Sequence, residues 1–252
     1  MSPLLKLSAI TAVALSLGAC QSLFTPNLHK PLEVKRDAFE HLKPGCTGAD
    51  CPLVNIDTVH FPDEPQLDMM VQRRLLDLTR TSPVAANTNS LQEYEQQYLA
   101  QAPAHTSSYL QAKVREQHDG LVIVELSSYV DTGDTRNMPT PGRGFINYSR
   151  AQSKALRLDD MLVPGQEDAF WKNAELAQQG WMAATKVTDQ DPNFAKTWPF
   201  RKTPNIALTY GALILKYDVN TIAPYAMGHI ELKIPYPRLN GILKPELFPG
   251  RG

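Results

Sequence analysis

The sequence predicts an α+β fold, an antiparallel sheet packed by helices and divided into two closely associated sub-domains. Three observations carry this. Stretches with helical apolar spacing are segregated from runs of extended character, as in α+β proteins and unlike alternating β–α–β chains. Asp119-Gly120 stands between two extended runs, and Asp-Gly is a strong short-range hairpin signal because a primed turn needs positive φ. The chain has 252 residues, 42% of them hydrophobic, enough to bury a substantial core.

Residues 53–61 (LVNIDTVHF) alternate and carry β-branched side chains, which predicts a strand. Leu67, Val71, Leu75 and Leu78 follow at helical spacing, one face of a helix over 65–81. A second helix is expected over 90–102, with Leu91, Tyr94, Tyr98 and Ala102 inward, Ser90 as cap and Glu93 in capping-box position. The period then changes. Residues 107–117 and 121–130 form the hairpin around 118–120, and 145–148 with 155–158 form a second. Phe170, Ala174, Ala177, Trp181 and Ala184 recur every three or four residues, an amphipathic helix with Trp181 in its core stripe and Trp171 partly exposed. Beyond a loop at 189–203, strands are expected at 206–210, 212–219 and 229–234, then a short helix at 237–243.

The front of the chain differs. Lys6 is the single charge before an apolar run over 7–17. That run falls short of the roughly 20 apolar residues that span a bilayer, so residues 1–19 read as a secretory signal peptide. It ends in Leu17-Gly18-Ala19-Cys20, which resembles a bacterial lipobox. The resemblance implies a lipoprotein cleaved before Cys20, with diacylglycerol on the thiol and an acyl chain such as palmitate on the amine. More than one chain is what stable anchoring requires. Gln21 stands where an aspartate would retain the protein in the inner membrane, so the expected location is the outer membrane, facing the periplasm.

Residues 20–52 read as a lipidated tether leading into a docked segment. Cys46 and Cys51, with Gly48 between them, suit a small disulfide loop in an oxidising compartment. Half of a metal site is the competing reading, but no second cysteine pair and no spaced histidine pair completes it. Lipidation of Cys20 and pairing of the other two leave no free thiol. The rest divides into a strand–helix–helix part over 53–104 and a C-terminal domain over 105–252. Lys and Arg number 25 against 26 Asp and Glu, a formal net charge of -1. Removal of 1–19 leaves 24 against 26, or -2. A nucleic-acid binder normally shows a basic excess, and no such partner is expected.

Residues 217–228 (YDVNTIAPYAMG) resemble the Y-x-x-A-P-Y-A-x-G signature of the RsiV-type C-terminal domain. Phe145-Ile146-Asn147-Tyr148 and residues 156–162 (LRLDDML) resemble that domain's hairpin and its L-x-L-x-D-L-F step, and 205–216 its preceding strand pair. The strand ending at Phe61-Pro62 and the helix after it are similar to the companion domain at the front of the same proteins, so the resemblance covers residues 53–243. It implies an envelope-facing binding domain in cell-wall biology. Members include the extracellular part of a lysozyme-binding anti-sigma factor and the non-catalytic front of a polysaccharide deacetylase. Members often carry Gly-Gly-Ala-His after the first hairpin, whereas residues 138–144 (MPTPGRG) contain no histidine. With no sigma-binding segment, an anti-sigma role is not expected.

No catalytic constellation stands out. The six histidines show no pair at ligand spacing, and neither H-E-x-x-H nor G-x-S-x-G occurs. Asp159-Asp160 read as a cap or turn, since neighbours on a strand face opposite ways. Asp189 and Asp191 lack the spacing of a calcium loop. No enzymatic activity, cofactor or metal is expected. Recognition remains. The loop 131–144 (DTGDTRNMPTPGRG) offers Asp134, Arg136, Asn137 and Arg143 as candidate partner-binding residues, with a plain hairpin connection as the competing reading. The turn 223–228 is a second candidate, against a packing role for Tyr225. The expected function is a lipid-anchored cell-envelope binding protein. Its partners are the bilayer, through acylated Cys20, and a lysozyme-like protein or peptidoglycan. A structural or assembly lipoprotein that holds another envelope protein, and a cell-wall hydrolase without a recognisable motif, are the alternatives.

Overall fold

The computed structural model describes residues 28, 30–80, 87–133, 139 and 141–250. Two sheets organise the chain. The larger has six strands in the order β1 (Lys35–Leu42), β2 (Leu53–His60), β3 (Ser107–His118), β4 (Leu121–Asp131), β5 (Gly142–Ser149) and β6 (Lys154–Ala155). Every neighbouring pair is antiparallel except β2 and β3, which run parallel. A parallel pair needs a long crossover, supplied here by α1 (Pro65–Thr79) and α2 (Leu91–Gln101). The smaller sheet is antiparallel: β7 (Ile206–Leu208), β8 (Leu213–Tyr217) and β9 (Ile230–Ile234). Between the sheets in sequence come α3 (Leu158–Met161), α4 (Glu167–Thr185), α5 (Val187–Gln190) and α6 (Phe194–Thr197).

The large sheet is the middle layer, and two apolar cores lie on its two faces. Val54, Ile56, Leu110, Val122 and Val124 face Leu67, Val71 and Leu75 of α1 and Tyr94 and Tyr98 of α2. Leu121, Ile123 and Phe145 face the small sheet and α4. The cores thus separate by sheet face, and the sheet itself runs across residue 105 through the β2–β3 pairing. Asn147 of β5 joins the sheets: its Nδ2 donates to the Ile206 carbonyl at 2.7 Å, and the Leu208 N–H donates to its Oδ1 at 2.8 Å.

Several expectations hold at the level of single residues. Asp119 and Gly120 have φ of 46° and 73°, the positive values the β3–β4 turn requires. Ser90 caps α2, its hydroxyl accepting from the Glu93 N–H at 3.1 Å, while Glu93 accepts from the Asn89 N–H at 2.8 Å. Asp160 caps a turn, accepting from the Arg157 N–H and from Lys154 Nζ. The Cys46–Cys51 disulfide is present and closes the loop of the β1–β2 hairpin.

Other expectations are corrected. The stretch read as tether contributes the eight-residue strand β1, exposed along nearly its whole length, so no apolar alternation marked it. On α4 the buried stripe is Phe170, Trp171, Ala174, Gln178 and Met182. Trp171 lies in the core, Trp181 is half-buried and Ala184 exposed, because the small sheet meets a face rotated from the apolar spacing. The loop 189–203 contains the second half of α5 and all of α6, and the helix expected at 237–243 is a 3-10 turn at Tyr236–Leu239.

Ahead of β1 the chain is clamped. Leu32 is buried, its N–H donates to Gln117 Oε1 at 2.8 Å, and Gln117 Nε2 donates to its carbonyl at 3.1 Å. Arg150 Nη1 donates to the carbonyls of Leu28 and Lys30.

Candidate binding site

Alternation along β2, β3 and β4 sends one set of side chains away from α1 and α2. On β4 these are Leu121, Ile123, Glu125, Ser127 and Tyr129. The small sheet covers the first two, and beyond Glu125 the face opens. There Tyr109 of β3 pairs with Tyr129 of β4, their rings 6.0 Å apart between centroids, with Tyr109 exposed and Tyr129 half-buried. Beside them Asp57 of β2 accepts from Gln111 Nε2 at 3.0 Å, and from Arg36 Nε and Nη2 at 2.7 and 3.2 Å. The Arg36 hydrogen bond is the main cause holding the Asp57 carboxyl below the usual range. The open half is therefore a polar shelf with two aromatic rings and its charges held in place.

A charge cluster marks the border between covered and open halves. A bulge leaves Arg115 as an extra residue, with Val114 opposite Val124 and Glu116 opposite Ile123. Bulges re-aim side chains, and Arg115 reaches Glu125 at 2.8 Å and Glu231 of β9 at 3.3 Å. Lys216 of β8 bonds Glu125 and stands 3.1 Å from Glu231. Burial pushes the Glu125 carboxyl up, but hydrogen bonds from Lys216 and Arg115 outweigh it and leave it below its ordinary pKa. Behind the cluster sit Arg143, Asp218 and His229. Burial raises the Asp218 carboxyl against the pull of Arg143, and burial with Arg143 lowers the His229 imidazole. Asp218 Oδ1 and His229 Nε2 are buried without a hydrogen-bond partner among the described residues.

The two recognition elements expected from sequence meet at this border. Tyr225, in the 3-10 turn Tyr225–Met227, donates its hydroxyl to the Pro139 carbonyl at 3.0 Å, so the turn touches the loop between β4 and β5. Gly228 ends the turn at φ 70°. Asp134, Arg136 and Asn137 lie outside the described residues, as does Cys20. Arg143 belongs to β5, not to the loop; it is half-buried, and its Nη1 donates to the Gly142 carbonyl at 2.8 Å. Its charge faces Glu125 and Asp218.

Tyr109, Tyr129 and Lys216 escaped the sequence reading. One signal was present: Glu125 interrupts the apolar run 121–126 (LVIVEL), and a buried carboxylate demands a cationic partner. Among the described residues, no group of three or more His, Cys, Asp or Glu side chains is placed to hold a metal ion, and no helix is long and apolar enough to cross a membrane.

Fold and site together define a two-sheet α+β protein with one half-covered sheet face. The chain belongs to the DUF3298 family of proteins of unknown function. The family's model matches residues 159–237, which contain the border turn and two of the four residues of the charge cluster. The crystal structure of a DUF3298 family protein from Pseudomonas aeruginosa PAO1 is 64% identical, covers 89% of this chain and 100% of its own, and superposes with a TM-score of 0.83. A member of the family from Bacteroides fragilis NCTC 9343 shares 18% identity, covering 85% of this chain and 94% of its own at a TM-score of 0.67, a likeness of fold alone. No curated protein matches.

Proposed function

We propose that the protein is a lipid-anchored envelope binding protein, tethered through acylated Cys20 to the outer membrane, that presents the tyrosine shelf to a lysozyme-like protein or peptidoglycan. The Tyr109–Tyr129 pair, with Tyr109 exposed and Tyr129 half-buried, carries the reading. Tyrosines give a large, stiff contact area with a polar tip and are enriched where proteins bind partners. The turn touching the loop beside them coincides with the RsiV-type signature, and the lipobox supports the anchor. The reading is of recognition without catalysis.

Two measurements test it. Cells grown with labelled palmitate should show it on the protein and lose it in Cys20→Ala. In-cell crosslinking from position 109 of the full-length lipoprotein, followed by mass spectrometry, should trap peptidoglycan fragments or a lysozyme-like enzyme. Purified lysozyme should then be retained by the detergent-solubilised protein and inhibited by it. Capture of one unrelated envelope protein, with neither lysozyme nor peptidoglycan bound at low salt, would sink the proposal in favour of an assembly role.

A further inference from the structure

A second site lies away from the shelf. A cleft of about 590 Å³ opens where α1, β5, α3 and α4 converge with the 202–206 segment. Its volume falls in the range of small-molecule pockets, roughly 300 to 1,000 Å³. Phe145, Leu156, Met161, Trp171 and Ile206 line it with apolar surface. Arg74 of α1, Arg157 and Lys202 also line it, against the single carboxylate of Asp159. In a chain whose formal net charge is -1, three cations around one cleft are a local reversal of sign.

The three cations differ in what they already do. Lys202 is engaged: its Nζ lies 3.2 Å from Glu167 Oε1 and 5.2 Å from the centre of the Trp171 ring. Glu167 also accepts from Trp171 Nε1 at 2.8 Å, so the indole is held in orientation. Arg74 and Arg157 are exposed, and their guanidinium groups make no ion pair among the described residues. A guanidinium is built for bidentate contact with carboxylate, and these two approach the cleft from separate elements, α1 and the residue before α3.

We infer that this cleft binds a small carboxylate-bearing ligand, its acid group between Arg74 and Arg157 and its body on the apolar floor beside Trp171. An acid on a saccharide and an acid on an aliphatic body share this chemistry. The inference stands apart from the tyrosine shelf, and either can fail alone.

Isothermal titration of the full-length protein in detergent tests it with two matched pairs, N-acetylmuramic acid against N-acetylglucosamine and hexanoate against hexanol. At least one acid should saturate below roughly 10 mM, with its neutral partner at least about tenfold weaker. Arg74→Gln with Arg157→Gln should weaken the acid about tenfold or more, and Asp159→Asn should tighten it roughly threefold. All three positions are exposed, and unchanged unfolding curves would show that the fold survives. Binding of the sugar acid alone assigns a saccharide body, and of hexanoate alone an aliphatic one. The inference falls if no acid saturates, if neutral partners bind as well, or if the double variant binds like the parent.

Discussion

Val124 and Glu125 are neighbours on β4 and look into two different environments. Val124 enters a face closed by α1 and α2 and filled with aliphatic and tyrosine side chains. Glu125 enters the face where the small sheet stops, and it is held there by Lys216 and Arg115. The first environment asks mainly for apolar volume, which many sequences satisfy, with one buried hydroxyl pair, Tyr94 and Ser108 at 2.6 Å. The second asks for a bulge at Arg115 and for two sheets in register, because an unmatched charge in that position is costly. One face thus supplies stability, and the other fixes how the sheets meet and leaves a shelf exposed.

The strongest way to break this comparison is Glu125→Ala. It leaves Lys216 and Arg115 sharing Glu231 in place of two carboxylates and should cost about 4 kcal/mol in denaturant unfolding. Glu125→Leu combined with Lys216→Met should recover most of that loss, since an apolar pair of similar volume often replaces a buried ion pair without penalty. Leu110→Ala on the helix-covered face should cost about 3 kcal/mol, with no rescue by a charge partner.

Acid separates the faces next. The folded His229 imidazole sits below its ordinary pKa, so the unfolded chain binds its proton more readily. Stability should fall as pH drops from about 6.5 toward the folded value, and His229→Asn should flatten that part of a melting-temperature profile. Glu125, held low, adds loss only at lower pH, as the fall passes through its folded pKa. Asp218, raised, works the other way: its protonation in the carboxylate range favours the fold, and its stabilisation is lost as pH rises. The three groups face one another together with Arg143 and Lys216, so the profile of the Glu125→Ala variant should change as well. The smallest effect is expected at Tyr109→Ala, within about 0.5 kcal/mol of the parent by unfolding, while partner capture at the shelf is lost.

The helix-covered face was legible because its signals are local. Leu67, Val71 and Leu75 repeat at helical spacing, Ser90 and Glu93 mark a start, and Asp119-Gly120 marks a turn. The α+β class followed from these. The other face was largely illegible. Tyr109 and Tyr129 come together only through a register displaced by the Arg115 bulge, and Lys216 meets Glu125 across 91 residues of chain. Strand β1 escaped because an exposed edge strand has no buried side to pattern. On α4, spacing predicted a helix, but which side was buried depended on where the small sheet came to rest. The turn at 225–227 was noticed through resemblance, which marked the place without its contact to Pro139.

The clamp on residues 28–32 matters when the N-terminus is pulled. Tension entering there meets the Gln117 amide, which grips Leu32 through both of its atoms, and the Arg150 guanidinium before it reaches the first rung of β1. Those contacts are loaded together, whereas the rungs of an edge strand can be peeled one at a time. Once β1 has peeled, the Cys46–Cys51 bridge keeps the hairpin loop from paying out its full length. The segment is a strain relief of the kind fitted where a cable enters a plug: a tug on the line is spent at the collar, and the shelf at the far end of the sheet keeps its shape.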